Sequence, residues 1–332
     1  MEKVNWGILG TASIARRHAI PAMQAIPECC ALAVASRDLA KAQTFASELG
    51  IPKAYGSYDQ LLDDPEVEAV YIPLPNNMHL PWIQKATSAG KHVLCEKPLG
   101  LTPDEIRLAM QIAQNTNKLV VEGVTSYFHP IHNRAAELIS KGTIGQLRFI
   151  RISLGWNLAD KQNDFRWQPE QGGGALYDIG GYCISVARLL AGCEPQQVSA
   201  QAHYHPEHQV DTDMVITLTF PGGIFALIDF SLVTAFHNEY AAIGTAGKLV
   251  VENPFGNGAQ QRTINICDLR GASTKQETFV DHQMRAQFAA VSHAIRQGSP
   301  SPLALTESLA NAMVMNACRQ SALAGGKQEV LI

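Results

Sequence analysis

From residue 4 to about residue 123 the chain alternates short apolar runs with segments whose apolar residues recur at helical spacing. No other feature restricts its fold as much. Such alternation builds a parallel sheet covered by helices on both faces. The runs 4–9, 31–35, 69–72, 92–94 and 119–121 read as strands, and 13–26, 39–49, 78–89 and 103–115 read as amphipathic helices between them. Thr102 followed by Pro103 suits a capped first turn for the last helix.

Beyond residue 123 the texture changes. A helix (131–140) and a strand (146–154) precede a glycine cluster that opens an apolar helix (175–190). Strands 198–204, 214–220, 224–233, 240–243, 248–251 and 263–267 follow, and helices 284–296 and 305–324 close the chain. This half predicts an α+β domain built on a large, mostly antiparallel open sheet. The 332 residues thus read as an α/β protein of two domains: a doubly wound dinucleotide-binding domain over 1–123, and a substrate-binding α+β domain over 124–332.

Composition narrows the partners. Lys plus Arg number 26 against 30 Asp plus Glu, with no basic block, which argues against nucleic acid. No apolar run approaches the ~20 residues of a membrane span. Cys29, Cys30, Cys95, Cys183, Cys193, Cys267 and Cys318 are odd in number and form no CxxC pair, so reduced thiols in the cytoplasm are expected. Met1-Glu2-Lys3 leads straight into the first strand, which gives export no support.

Chemistry concentrates where strands give way to turns. Gly10-Thr11-Ala12-Ser13-Ile14-Ala15 lies at the first strand-to-helix turn, where backbone amides cradle a pyrophosphate. Only the first glycine of GxGxxG survives, and an ordinary turn packed with small residues is the alternative. At the end of the second strand Ser36-Arg37 stands where an NAD site wants a carboxylate, which favours the 2'-phosphate of NADP(H) over NAD(H). Asp38 suits either a ribose or, more simply, the cap of the next helix.

After the run 69–72 come Pro73, Leu74, Pro75, Asn76, Asn77, Met78 and His79, in which Asn76 can offer its amide to a nicotinamide or cap a helix. After the run 92–94 come Cys95-Glu96-Lys97-Pro98. A lysine at that edge can polarise a carbonyl oxygen and lower the pKa of a nearby hydroxyl, although lone lysines are commonly solvated.

In the second half Asp178, Tyr182 and Ser185 fall at i, i+4 and i+7 on an otherwise apolar helix, behind Gly172–Gly174, which let a backbone or a ligand approach. A solvated face is the alternative. His203, His205, His208, Asp211 and Asp213 form a metal-like stretch, but we expect no metal there.

WGILGTASIA, ASRD, PLPNNMH, CEKP, GGGALYDIGGY, GTAGKL and the C-terminal SLANAMVMNACRQSALAGG together resemble the Gfo/Idh/MocA family, over essentially the whole chain. The resemblance implies a Rossmann domain, Lys97 as the lysine of the EKP motif and Asp178 as the acid of the second-domain motif. Tyr182 in place of a histidine resembles the branch of dimeric dihydrodiol dehydrogenase, NADP-dependent xylose dehydrogenase, glucose-fructose oxidoreductase and sugar 3-ketoreductases, in which the tyrosine handles the proton. Ser185 and Tyr127 depart from common relatives of the family.

The expected function is therefore hydride transfer between NADP(H) and a carbonyl or secondary alcohol of a sugar or sugar-like polyol. Trans-dihydrodiol or dicarbonyl chemistry, or non-catalytic NADP sensing, are the alternatives. Catalytic roles are expected of Lys97, Tyr182 and Asp178. Cofactor contacts are expected of Gly10, Thr11, Ala12, Ser13, Ile14, Ser36, Arg37, Pro73, Leu74, Asn76, His79, Glu96 and Lys97. The resemblance also gives the domain over 124–332 an oligomerisation role and implies a homodimer or homotetramer.

Overall fold

The β-branched and aliphatic runs of the first half form six strands. They are β1 (Val4–Leu9), β2 (Cys29–Ala35), β3 (Lys53–Tyr55), β4 (Ala69–Ile72), β5 (His92–Glu96) and β6 (Val120–Gly123). The structure, a computed structural model, describes residues 2–158 and 164–330. The strands pair in the order β3-β2-β1-β4-β5-β6, all parallel, so the order reverses between β1 and β4. In such a doubly wound sheet ligands bind beyond the carboxyl ends, at that reversal.

Helices α1 (Ile20–Gln24), α2 (Leu39–Leu49), α3 (Tyr58–Leu62), α4 (His79–Ser88) and α5 (Pro103–Thr116) link these strands. Thr102 caps α5 as expected, accepting from the Glu105 amide at 3.2 Å. The single helix expected over 13–26 is instead a π turn (Ala15–Ala19) running into α1. Pro21 cannot donate the bond a regular helix would need, and Ile20 donates back to Ala15 in the wider register. The short β3 and α3 carry too little apolar pattern to have been foreseen.

Two compact units emerge, one of residues up to Phe128 with His282–Leu309, the other of His129–Asp281 with the residues from Ala310 on. The sequence reading had placed the whole tail in the second domain. Instead α8 (Gln283–Gln297) packs on the parallel sheet. Phe288 stands edge-on to Trp6 and Tyr71, with ring centroids 5.2 and 5.5 Å away, and the Trp6 indole donates to Ser292 Oγ at 3.1 Å. An amphipathic helix shows in a sequence, but the sheet that receives its apolar face does not.

The second unit holds β7 (Leu147–Asn157), β8 (Gln197–Tyr204), β9 (Asp211–Phe220), β10 (Ile224–Ser231), β11 (Val233–Gly244), β12 (Lys248–Glu252), β13 (Gln260–Cys267), β14 (Ser273–Asp281) and β15 (Glu329–Val330). Their order is β14-β13-β12-β11-β7-β10-β9-β8-β15, antiparallel except for β7 beside β10. The β11 stretch 234–239 is largely solvent-facing and polar, so only its last part could be seen as a strand; β14 is a polar edge. One sheet face is the core, including Ile152, Leu218, Ile228 and Val251, and is covered by α6 (Pro130–Ser140), α7 (Gly181–Ala191) and the later turns of α9 (Leu305–Leu323). No helix among the described residues is long and apolar enough to cross a membrane.

Candidate active site

At the carboxyl edge of the parallel sheet, β1 runs into Gly10 at φ +104°, a conformation that favours glycine. Its amide donates to Ala35 O at 2.8 Å, and a Cβ there would stand only 3.1 Å from Leu74 Cδ2, across the reversal of strand order. Thr11, Ala12 and Ile14 are half-buried and Ser13 exposed as the chain enters the helical turn. Backbone and space both require the one surviving glycine, and the turn fits a pyrophosphate held on main-chain amides.

Ser36 is buried at the end of β2, its amide bonded to Tyr55 O at 3.1 Å, while Arg37 is exposed. Asp38 is the cap of α2, accepting from the Lys41 amide at 3.2 Å. Its carboxylate therefore serves its own helix and leaves Arg37 as the charged side chain presented there. Burial pushes the Tyr58 phenol up, and Arg37 acts against that shift, which places the guanidinium's field beside the glycine turn.

Beyond β4, Pro73, Leu74 and Asn76 are buried. His79, expected among the cofactor contacts, is corrected: it is 0% exposed, with Nδ1 2.7 Å from Pro98 O and Nε2 2.8 Å from Leu74 O. A ring so enclosed joins the turns after β4 and β5 and has no face left for a ligand. Burial lowers its pKa, while the Pro98 and Leu74 carbonyls act against that shift.

Beyond β5, Glu96 and Lys97 are half-buried. The Tyr71 phenol donates to Glu96, and the Leu99 amide donates to Glu122 Oε1 at 2.9 Å. Glu122, at the end of β6, was not anticipated: inside an apolar strand its letter carries no positional signal. Burial raises its pKa, while the Ser308 hydroxyl, the Leu99 amide and, least, the charge of Lys97 favour the carboxylate.

In the second unit the glycine cluster admits a backbone, one of the two approaches expected of it. A Cβ on Gly173 would lie 2.5 Å from Arg166 O, and one on Gly174 (φ +109°) would overlap the Asp211 carboxylate. The approaching groups are thus this chain's own backbone and side chain. Gly180 similarly makes room for Phe230, 2.6 Å from where its Cβ would stand.

Asp178, Tyr182 and Ser185 part company. Asp178 is only 5% exposed and paired with Arg166 at 2.7 Å. Burial opposes the charge on Arg166, but Asp178 and then Asp164 more than offset it, and the guanidinium stays charged. Tyr182 is half-buried one turn on, its ring 6.3 Å from that of Phe255. Ser185 is buried and donates to Tyr182 O at 2.9 Å, a bond within its own helix. Arg166 also escaped the sequence reading, because nothing in its local pattern marks its distant partner.

The metal-like stretch disperses. His205 Nδ1 accepts from the Glu207 and His208 amides, His203 is exposed, and Asp211 Oδ2 accepts from the Leu176 amide at 2.6 Å, at the start of the π turn (Leu176–Gly180) before α7. Among the described residues no group of three or more His, Cys, Asp or Glu is arranged to hold a metal ion.

Two family models match the chain. Residues 4–124 fit the oxidoreductase family with an NAD-binding Rossmann fold, and 132–250 fit the GFO/IDH/MocA C-terminal domain. The chain belongs to the GFO/IDH/MocA family. As a member it is an oxidoreductase whose Rossmann unit binds a nicotinamide cofactor. It is 38% identical to the uncharacterized oxidoreductase ORF334 of Rhizobium meliloti, covering 99% of this chain and 100% of that protein. It is 35% identical to an NADP(+) D-xylose 1-dehydrogenase of Haloferax volcanii, covering 98% and 99%. Among solved structures, the 3-ketoreductase KijD10 of Actinomadura kijaniata, in complex with NADP and TDP-benzene, superposes with a TM-score of 0.89 at 31% identity, covering 96% and 98%.

Asp211 gives this family member a measurable pH response. Burial raises its pKa to about 6, against the favourable amides of Leu176 and Ala175. A raised folded-state pKa means that the folded chain holds the proton more tightly than the unfolded one. The resulting stability is full below the ordinary carboxyl range and is lost as pH rises through about 6. Asp211→Asn removes the titration. Its urea-unfolding free energy, compared with that of the parent chain at about pH 4.5 and about pH 7.5, is expected to gain roughly 2 kcal/mol at the higher pH. An unchanged difference counts against a titrating cap.

Proposed function

We propose that this oxidoreductase prefers NADP(H) and moves a hydride between nicotinamide and a carbonyl or secondary alcohol carbon of a sugar or sugar-like polyol, with Lys97 and Tyr182 serving the same reacting oxygen. The observation that carries the reading is the fixed setting of Lys97, half-buried at the carboxyl edge of the parallel sheet with its neighbours each hydrogen-bonded. The names of the xylose dehydrogenase and 3-ketoreductase relatives support a sugar-type substrate.

Bound nicotinamide supplies or accepts the hydride. Gly10, Thr11, Ala12, Ser13 and Ile14 would hold the pyrophosphate. Ser36 and Arg37 would hold the 2'-phosphate, and Pro73, Leu74, Asn76, Glu96 and Lys97 would border the nicotinamide end. The Lys97 ammonium polarises the substrate oxygen and favours the phenolate of Tyr182, which gives or takes the hydroxyl proton at its Oη. Asp178, fixed by Arg166, orients the substrate beside Tyr182 on the next turn.

Tyr182→Phe is expected to lower kcat on the best substrate of a sugar panel by about 100-fold or more, with cofactor affinity nearly unchanged. Lys97→Met is expected to be worse. Normal turnover in either variant removes that residue from the reaction.

Arg37 is the exposed cationic side chain that follows Ser36 at the end of β2, while the Asp38 carboxylate caps α2. Arg37→Ala should weaken NADPH binding by about 2–3 kcal/mol and NADH binding far less, as read by fluorescence titration. Equal losses contradict the NADP preference.

Self-association as a homodimer or homotetramer is the remaining part of the reading. The outer face of the second sheet exposes Phe149, Val215, Phe225 and Leu227, with Phe149 and Phe225 stacked at 6.2 Å between centroids. Contiguous apolar surface of this kind marks a contact face. Sedimentation velocity should give a dimer or tetramer for the parent chain and a monomer for Phe225→Asp with Leu227→Glu. A variant that still associates rules this face out.

A further inference from the structure

Tyr58 opens α3, just beyond the outermost strand β3, yet its phenol reaches the glycine turn that follows β1. A Cβ built on Gly10 would stand 3.6 Å from Tyr58 Oη and 3.1 Å from Leu74 Cδ2. The backbone explains how a side chain from the third strand arrives there. The Gly10 amide donates to Ala35 O at 2.8 Å and the Ser36 amide to Tyr55 O at 3.1 Å, so the ends of β1, β2 and β3 lie side by side. Ser57 caps α3 by accepting from the Gln60 amide at 3.1 Å, and Trp82 on α4 meets the Tyr58 ring edge-on with centroids 4.9 Å apart.

The ring is therefore fixed, but its hydroxyl is not used by the fold. Tyr58 is 8% exposed, and its Oη has no hydrogen-bond partner among the described residues and is not sealed from solvent. Burial pushes the phenol up, so near neutral pH it carries its proton and can donate as well as accept.

In a Rossmann unit the adenosine ribose lies between the glycine turn and the end of β2, where a carboxylate takes its hydroxyl in an NAD site. This chain has Ser36 and Arg37 at that end, and the Asp38 carboxylate caps α2. The ribose has lost its usual partner from β2. The one neutral hydroxyl aimed at Gly10 from the neighbouring strand end is that of Tyr58.

We propose that Tyr58 is a further cofactor-binding residue, whose Oη hydrogen-bonds the 3'-hydroxyl of the adenosine ribose in place of the carboxylate missing after β2. The inference rests on the cofactor site at Gly10 but not on the preference for NADP(H), because NADH and NADPH both carry that hydroxyl.

Tyr58→Phe keeps the ring and its contact with Trp82 and removes only Oη. The full chain is titrated by fluorescence with NADH, NADPH and the 3'-deoxyadenosine analogue of NADH. The parent chain should bind the analogue about 5-fold more weakly than NADH. Tyr58→Phe should bind NADH about 5-fold more weakly than the parent does, and the analogue as well as it binds NADH, since the two removals delete the same contact. NADPH should lose the same factor as NADH. The thermal midpoint of the cofactor-free variant should equal that of the parent chain.

Parent-like NADH affinity in Tyr58→Phe overturns the proposal. So does a further loss for the analogue in that variant, which would give the 3'-hydroxyl to another group. A lowered midpoint of the cofactor-free variant assigns Oη to the fold and overturns it as well. Equal losses of NADPH and NADH in Arg37→Ala would instead count against the NADP preference alone and leave the Tyr58 contact intact.

Discussion

Parallel pairing is the constraint on which the first unit depends. A parallel strand cannot follow its neighbour through a tight hairpin, so each of β1 to β5 must be left through a crossover that returns the chain to the amino edge. All the strand-to-helix turns therefore gather at the carboxyl edge. Gly10, Ser36, Asn76 and Lys97 are far apart in the chain yet share that edge because they occupy the same position relative to successive strands. The reversal between β1 and β4 makes it concave enough for Leu74 to come within reach of Gly10.

The second constraint is the cost of buried charge. An isolated ion in an apolar interior loses several kcal/mol of hydration unless a partner replaces it. Each buried ionic group near the proposed chemistry has such a partner. Asp178 has Arg166, Asp211 has the amides at the start of the helix, and Glu122 has the Leu99 amide and the field of Lys97. These partners also remove freedom of movement. Catalytic groups held in this manner need little reorganisation when charge develops on a substrate. Gly173 and Gly174 belong to the same arrangement, since they admit the Arg166 carbonyl and the Asp211 carboxylate.

Several errors of sequence reading trace to a single cause. His79 had the letter of a ligand-binding residue in a functional loop, but its ring is enclosed between two carbonyl groups. The stripe of Asp178, Tyr182 and Ser185 had the right spacing for one face, yet Ser185 spends its hydroxyl on its own helix. Local pattern gives the direction of a side chain from its element, not what lies at the end of it. Asp38 was resolved the other way: its capping bond is local, involving a residue three positions on, and so was legible beforehand.

The sequence by itself determined the alternation that yields the parallel sheet, the mostly antiparallel second sheet, the capped starts of α2 and α5, and the positions of the turns that hold Gly10, Ser36, Asn76 and Lys97. These depend on interactions within about one turn or one strand, and their periodicity is written in consecutive residues. Tertiary structure alone decided that α8 joins the first sheet, that Arg166 neutralises Asp178, that Glu122 accepts from the Leu99 amide and that His79 ties two turns together. Those outcomes are pairings between residues up to hundreds of positions apart, such as Trp6 with Ser292. Their energy comes from excluding water around both partners at once, which no single stretch of sequence contains.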